Sequence, residues 1–126
     1  MKMDGMGVFN FVVRSVPKCL EYLMDKVSLT PDDYDVLALH QANLFMVRHV
    51  AKKMKFPMEK VPTTIQKYGN SSSATIPVTL ASELHERISS KRLKVLASGF
   101  GAGLSLASVS MEMGPCHCPG VVEYEC

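Results

Sequence analysis

Apolar residues at Phe9, Val12, Val16, Leu20, Leu23 and Val27 recur in steps of three and four, the spacing of one buried helix face, and predict a helix over 8–27. Pro17 lies inside this stretch. It lacks an N–H and crowds the preceding turn, so it predicts either a kink or a second helix, capped by Ser15, that starts near Val16. Thr30-Pro31-Asp32-Asp33 has the form of a capped short turn with proline at the first helical position. The period then changes. Asp35-Val36-Leu37-Ala38-Leu39-His40 is a nearly continuous apolar run, as in a strand buried on both faces, and it carries His40 at its carboxyl end. From Asn43 the helical period returns, with Val47, Val50, Ala51 and Met54 facing inward and Arg48, His49, Lys52, Lys53 and Lys55 facing outward.

The stretch 56–69 holds Pro57 and Pro62, and reads as connection with a short strand through Thr63, Thr64 and Ile65. Serines 71–73 offer a hydroxyl cap to a third helix, in which Ile76, Leu80, Leu84 and Ile88 recur every four residues. Pro77 is compatible with that helix only near its first turn. Leu93 to Ala97 is strand-like, Gly99-Phe100-Gly101-Ala102-Gly103 is expected to turn the chain, and Leu104 to Met113 reads as a second strand antiparallel to the first. The order predicts an α/β fold, a mixed sheet flanked by helices and ending in an antiparallel strand pair. About three strands are visible, which makes the sheet look incomplete.

Length and composition narrow the function without naming it. The 126 residues suit one domain, expected over 1–114, with 115–126 a tail expected to be disordered. With 47% apolar and 21% charged residues and a net charge of +2, neither disorder nor a generally nucleic-acid-binding surface is indicated. No run approaches the roughly 20 apolar residues of a membrane span, and residues 1–13 lack the form of a secretory signal. A soluble cytoplasmic protein with reduced cysteines is the expectation. Cys19 belongs to a helical apolar stripe, where a buried inert thiol is the ordinary outcome. Cys116-His117-Cys118 does not have the spacing of a zinc knuckle and no second ligand pair accompanies it, so no metal site is expected.

The chemistry concentrates at three places. His40 ends a buried strand, at the carboxyl edge where α/β proteins gather ligands, and is followed by Gln41 and Asn43, odd choices for packing alone. Asn70 follows Gly69 and can be a turn former or a cap as readily as a ligand-binding amide. The glycine segment can bring bare backbone N–H groups to the same place. It is not a dinucleotide fingerprint, because the third glycine is missing and a strand pattern follows it. No Walker loop or Gly-x-Ser-x-Gly elbow is present. An imidazole, a carboxamide and backbone amides together suit the stabilisation of a negatively charged oxygen.

His40-Gln41-Ala42-Asn43, Tyr68-Gly69-Asn70-Ser71-Ser72-Ser73-Ala74 and Gly99-Phe100-Gly101-Ala102-Gly103, in this order and spacing, resemble the C-terminal half of the β-ketoacyl-(acyl-carrier-protein) synthase III family, condensing enzymes of the thiolase superfamily. The resemblance runs from about Met3 to Met113. It implies the C-terminal half of a thiolase-like fold and an acyltransferase that joins acyl-CoA to malonyl-acyl-carrier-protein by decarboxylative Claisen condensation. It implies that His40 and Asn70 hold the malonyl thioester carbonyl, that the backbone N–H of Ala102 serves a second oxyanion hole, and that Phe100 and Asn43 line the substrate path. Acyl carrier protein, a CoA thioester, a missing N-terminal half and a homodimeric complete enzyme are the implied partners, with no metal or redox cofactor. The family's nucleophilic cysteine has no counterpart here, so the chain is expected to be inactive alone. Phe45 stands where the family often has an arginine that docks the carrier protein, with Arg48, Lys52 and Lys53 nearby. The competing reading is a non-catalytic thiolase-fold module that pairs with a partner chain or binds a carrier protein.

Overall fold

The computed structural model describes residues 4–101 and 103–124. Helix α1 spans Gly5–Val27 without a break, and the Asp4 side chain caps it by accepting from the Gly7 N–H at 2.9 Å. Neither the second helix nor the Ser15 cap is needed, because Pro17 is simply buried within α1. The carbonyl of Val13, four residues before Pro17 and deprived of its usual helical donor, is approached by Lys53 Nζ at 3.5 Å. The buried stripe is Val12, Val16, Leu20 and Met24, whereas Val27, the last residue of the helix, is exposed.

A short 3-10 turn over Pro31–Asp33 has the expected cap, with Thr30 and Asp33 bonded to each other. Strand β1, Val36–Leu39, follows, and all four residues are inaccessible to solvent. Helix α2, Leu44–Lys53, starts at Asn43, whose Oδ1 accepts from the Met46 N–H at 2.8 Å. Its buried and exposed positions fall where the period places them.

No strand forms at 63–65. A 3-10 turn over Met58–Lys60 leads to a one-turn helix α3, Ile65–Tyr68, tied to the next helix by the Lys67–Glu83 ion pair at 2.7 Å. The expected third helix is two: α4, Thr75–Glu83, and α5, His85–Ser90, separated at Leu84, where φ is −128°. Pro77 lies in the first turn of α4, where its missing N–H costs nothing.

Strand β2, Leu93–Gly101, lies between β1 and β3, Ser105–Met113, pairing in parallel with β1 and antiparallel with β3. Gly99, Phe100 and Gly101 therefore continue a strand, opposite Ala107, Leu106 and Ser105, and the turn falls later, at Gly103 and Leu104, both with positive φ. Alternation along β1 and β2 sends side chains to two cores. Leu37, Leu39 and Leu96 pack with α1 and α2, while Val36, Ala38, Val95 and Ala97 pack with Leu84 and Ile88 from the α4–α5 side. Even a three-stranded sheet thus has helices over both faces.

The tail, for which disorder is the expectation, forms no helix or strand over 115–124. It nevertheless runs along α5: the Cys116 N–H donates to the Ile88 carbonyl at 3.1 Å, and Cys118 packs against the second core. Gly114 makes this approach possible. Its φ is +80°, and a Cβ there would lie 2.5 Å from the Ile88 carbonyl oxygen.

Candidate functional site

The carboxyl end of β1 continues for one more rung, where the His40 N–H donates to the Ser98 carbonyl at 3.0 Å. The imidazole then leaves the sheet edge half-buried and meets the ring of Phe100 edge-on, with centroids 5.1 Å apart and planes at 88°. Its Nδ1 stands 2.6 Å from Thr75 Oγ1, at the start of α4. The site is a cavity of about 700 Å³ whose lining includes His40, Asn43, Asn70, Thr75, Phe100 and the main chain at Gly99 and Gly101.

Asn70 is exposed on that wall, and its Oδ1 accepts from the Ser72 N–H at 3.0 Å, an Asx turn. One atom thus shapes the loop, leaving the amide nitrogen as the donor. Among the described residues, neither Asn70 Nδ2 nor His40 Nε2 has a hydrogen-bond partner. Serines 71–73 do not supply the expected hydroxyl cap; Ser71 Oγ is buried without a partner among the described residues. Asn43 lines the cavity, but its side-chain oxygen is occupied as the cap of α2. Phe100, 8% exposed, projects from β2 beside the imidazole. Ala102 lies outside the described residues. The bare backbone at Gly101 leaves that part of the cavity open, since a Cβ there would meet nothing within 4 Å.

Behind the imidazole lies a buried polar relay. Gln41, fully buried, donates from Nε2 to the Leu39 carbonyl at 2.8 Å and accepts at Oε1 from the Thr64 N–H at 3.2 Å. Thr64 Oγ1 is 2.6 Å from Thr79 Oγ1, which donates to the Thr75 carbonyl at 2.7 Å. The importance of Gln41 shows in the sequence as an amide in an apolar setting. Thr64, Thr75 and Thr79 are harder to find; their one signal is the four-residue spacing of Thr75 and Thr79, which puts two hydroxyls on a helix face otherwise read from Ile76 and Leu80.

Loss of water around His40 holds its pKa below the ordinary 6.5, opposed by the nearby main chain of Ser72, which favours the charged ring. The neutral ring therefore dominates at neutral pH. Because the unfolded chain binds this proton more readily, the contribution to stability is complete above about pH 6.5 and is lost as pH falls through the lower folded value. His40→Gln should flatten that acid-side decline in urea unfolding midpoints measured from pH 8 to pH 5. Parallel declines for the two proteins would show that the ring is not held neutral.

Among the described residues, no helix is long and apolar enough to cross a membrane, and no three His, Cys, Asp or Glu side chains are grouped to hold a metal ion.

The comparisons with known proteins agree with one another. The family model described as 3-oxoacyl-[acyl-carrier-protein (ACP)] synthase III C terminal matches residues 24–113. The β-ketoacyl-[acyl-carrier-protein] synthase III of Prochlorococcus marinus (strain MIT 9301) is 42% identical over 118 residues, which are 90% of this chain and 34% of that protein. The synthase III of Geobacillus kaustophilus (strain HTA426) is 37% identical over 112 residues, 89% of this chain and 36% of its own length. Among solved structures, the 3-oxoacyl-(acyl-carrier protein) synthase of Burkholderia xenovorans LB400 superposes with a TM-score of 0.86 at 43% identity, over 90% of this chain and 32% of that one. The 3-oxoacyl-(acyl carrier protein) synthase III of Pseudomonas aeruginosa PAO1 gives 0.84 at 33% identity, over 94% and 37%. The chain spans about a third of the length of these relatives. With its thiolase-like architecture and this agreement, it belongs to the family of 3-oxoacyl-[acyl-carrier-protein] synthase III C-terminal domains.

Proposed function

We propose that the chain is the C-terminal catalytic half of a synthase III-type acyltransferase acting in fatty acid biosynthesis, and that His40 and Asn70 hold the oxygen of a malonyl thioester. The observation that carries this reading is that both side chains line one cavity, each engaged through one heteroatom and each with a nitrogen that has no partner among the described residues.

The chemistry follows from those donors. As the bond between the malonyl carboxylate and the α-carbon breaks, carbon dioxide leaves and its electron pair passes into an enolate whose oxygen becomes negative. Preorganised N–H donors aimed at that oxygen stabilise the transition state more than the ground state. The enolate carbon then attacks an acyl thioester on a cysteine of the N-terminal half, and collapse of the tetrahedral intermediate releases the thiolate and the β-ketoacyl product. The backbone N–H of Ala102 is assigned to that second oxyanion. Asn43 borders the path of the thioester arm, and Phe100 holds the imidazole edge-on.

This mechanism needs no metal or redox cofactor. The partners are an acyl-CoA, an acyl carrier protein, the N-terminal half and a second copy of the complete enzyme, and the setting is cytoplasmic. Carrier docking is assigned to the exposed cations Arg48, Lys52 and Lys53, one to two turns along α2 from Phe45, which stacks on Phe9 with centroids 5.8 Å apart and cannot supply a charge.

By itself the chain should gain no acyl mass from acyl-CoA, and mixing it with an N-terminal half that carries the cysteine should produce condensation. A specific, stable acyl adduct on Cys19, Cys116 or Cys118 of the isolated chain, seen by mass spectrometry of its peptides, would overturn the division of labour.

A further inference from the structure

The hydroxyl of Thr75 lies between two acceptors and has one proton to give. His40 Nδ1 is 2.6 Å away and the Ser72 carbonyl oxygen 3.0 Å away. The choice sets the chemistry of the imidazole. If the proton goes to Ser72, Nδ1 must carry the ring's hydrogen and Nε2 is left with a lone pair, unable to donate to an anionic oxygen. If it goes to Nδ1, the hydrogen of the neutral ring resides on Nε2. Three features favour the second arrangement. The contact to Nδ1 is the shorter. The Ser72 carbonyl, although near enough to the ring to favour its charged form, already accepts from the backbone N–H of Thr75, and Ser72 is exposed, so water can supply any further donor. Thr75 itself is 2% exposed, and its carbonyl is fixed by Thr79.

We infer that Thr75 is the positioning residue of His40: its hydroxyl donates to Nδ1 and so fixes the ring hydrogen on Nε2, the nitrogen free to donate into the cavity. The inference deepens the reading of His40 as an enolate donor and rests on it for its functional meaning, although the ring's tautomer can be read without any turnover. Burial supports it, because a ring kept neutral has a tautomer to choose.

Long-range proton–nitrogen correlation spectra of the chain labelled with ¹⁵N-histidine, recorded at pH 8, separate protonated from unprotonated ring nitrogens, and His40→Gln identifies the His40 signals. The expected result is a protonated Nε2 and a bare Nδ1 in the wild type and in Thr75→Ser, which keeps the hydroxyl. Thr75→Val should move the two nitrogen shifts toward each other or exchange them, as Nδ1–H turns to the Ser72 carbonyl. Thr75→Ala, which removes the hydroxyl without adding bulk and suits a helix, answers the same question if the valine variant does not fold. A wild-type ring protonated on Nδ1, or an unchanged pattern in the hydroxyl-free variant, overturns the assignment. Failure of the enolate reading itself would appear elsewhere, in the half-reaction kinetics of Asn70 and His40 variants.

Discussion

Asn70→Asp, in the enzyme completed with an N-terminal half, is expected to lower decarboxylative condensation roughly a hundredfold to a thousandfold and to leave transfer of the acyl group to the cysteine unchanged. The substitution is chosen for what it keeps. Asp retains an Oδ1 that can accept from the Ser72 N–H, now at 3.0 Å, so the turn that places the residue survives. What it loses is the amide N–H₂, replaced by a carboxylate oxygen that repels an enolate instead of stabilising it. His40→Ala removes the other proposed donor and is expected to fall on the same half-reaction, with less than additive loss in the double variant, as the proposal of two donors to one oxygen requires. Single-turnover measurements that separate cysteine acylation from carbon dioxide release check this. Equal losses in both half-reactions would mean that Asn70 and His40 build the cavity rather than act on the malonyl group.

The parts of this architecture legible in the sequence are those set by burial. β1 reads correctly because all four of its residues are inaccessible, and α2 reads correctly because its inward and outward positions separate cleanly. Errors arise where tertiary contacts decide. Pro17 predicts a kink or a second helix, yet α1 runs through it as one helix, with Lys53 Nζ from another helix 3.5 Å from the carbonyl that proline leaves without its donor. Gly99 and Gly101 predict a turn, yet pairing with β3 holds them extended, and their missing side chains matter to the cavity rather than to the backbone's direction. Thr63 to Ile65 predicts a strand from β-branched residues, but the Thr64 amide is held by Gln41 instead of by a ladder. At the site, His40, Asn43, Asn70 and Phe100 can be named from motifs, and the structure brings them to one cavity. Thr75 cannot be, because a hydroxyl acting through another residue has no motif of its own.

Gln41→Leu is expected to lower the stability of the chain by about 2–5 kcal/mol, the largest loss expected from a substitution of similar size anywhere near the site. Leucine fills much of the same space, so packing alone predicts little change. The cost comes from the groups left behind: the Leu39 carbonyl loses its 2.8 Å donor and the Thr64 N–H its 3.2 Å acceptor, with Leu39 and Thr64 both buried. Urea unfolding should show a lower midpoint with an unchanged slope, and a loss under about 0.5 kcal/mol would remove Gln41 from any structural role. The consequence for the site follows from what Gln41 joins. Its neighbour His40 ends β1, while Thr64 opens α3, the short helix that delivers Gly69 and Asn70. The two donors come from segments 30 positions apart in sequence, and this buried amide is a direct tie between them, with the Thr64–Thr79–Thr75 relay closing the loop back to the imidazole. Loosening the tie should therefore weaken condensation more than cysteine acylation, because only the enolate step needs both nitrogens aimed at one oxygen.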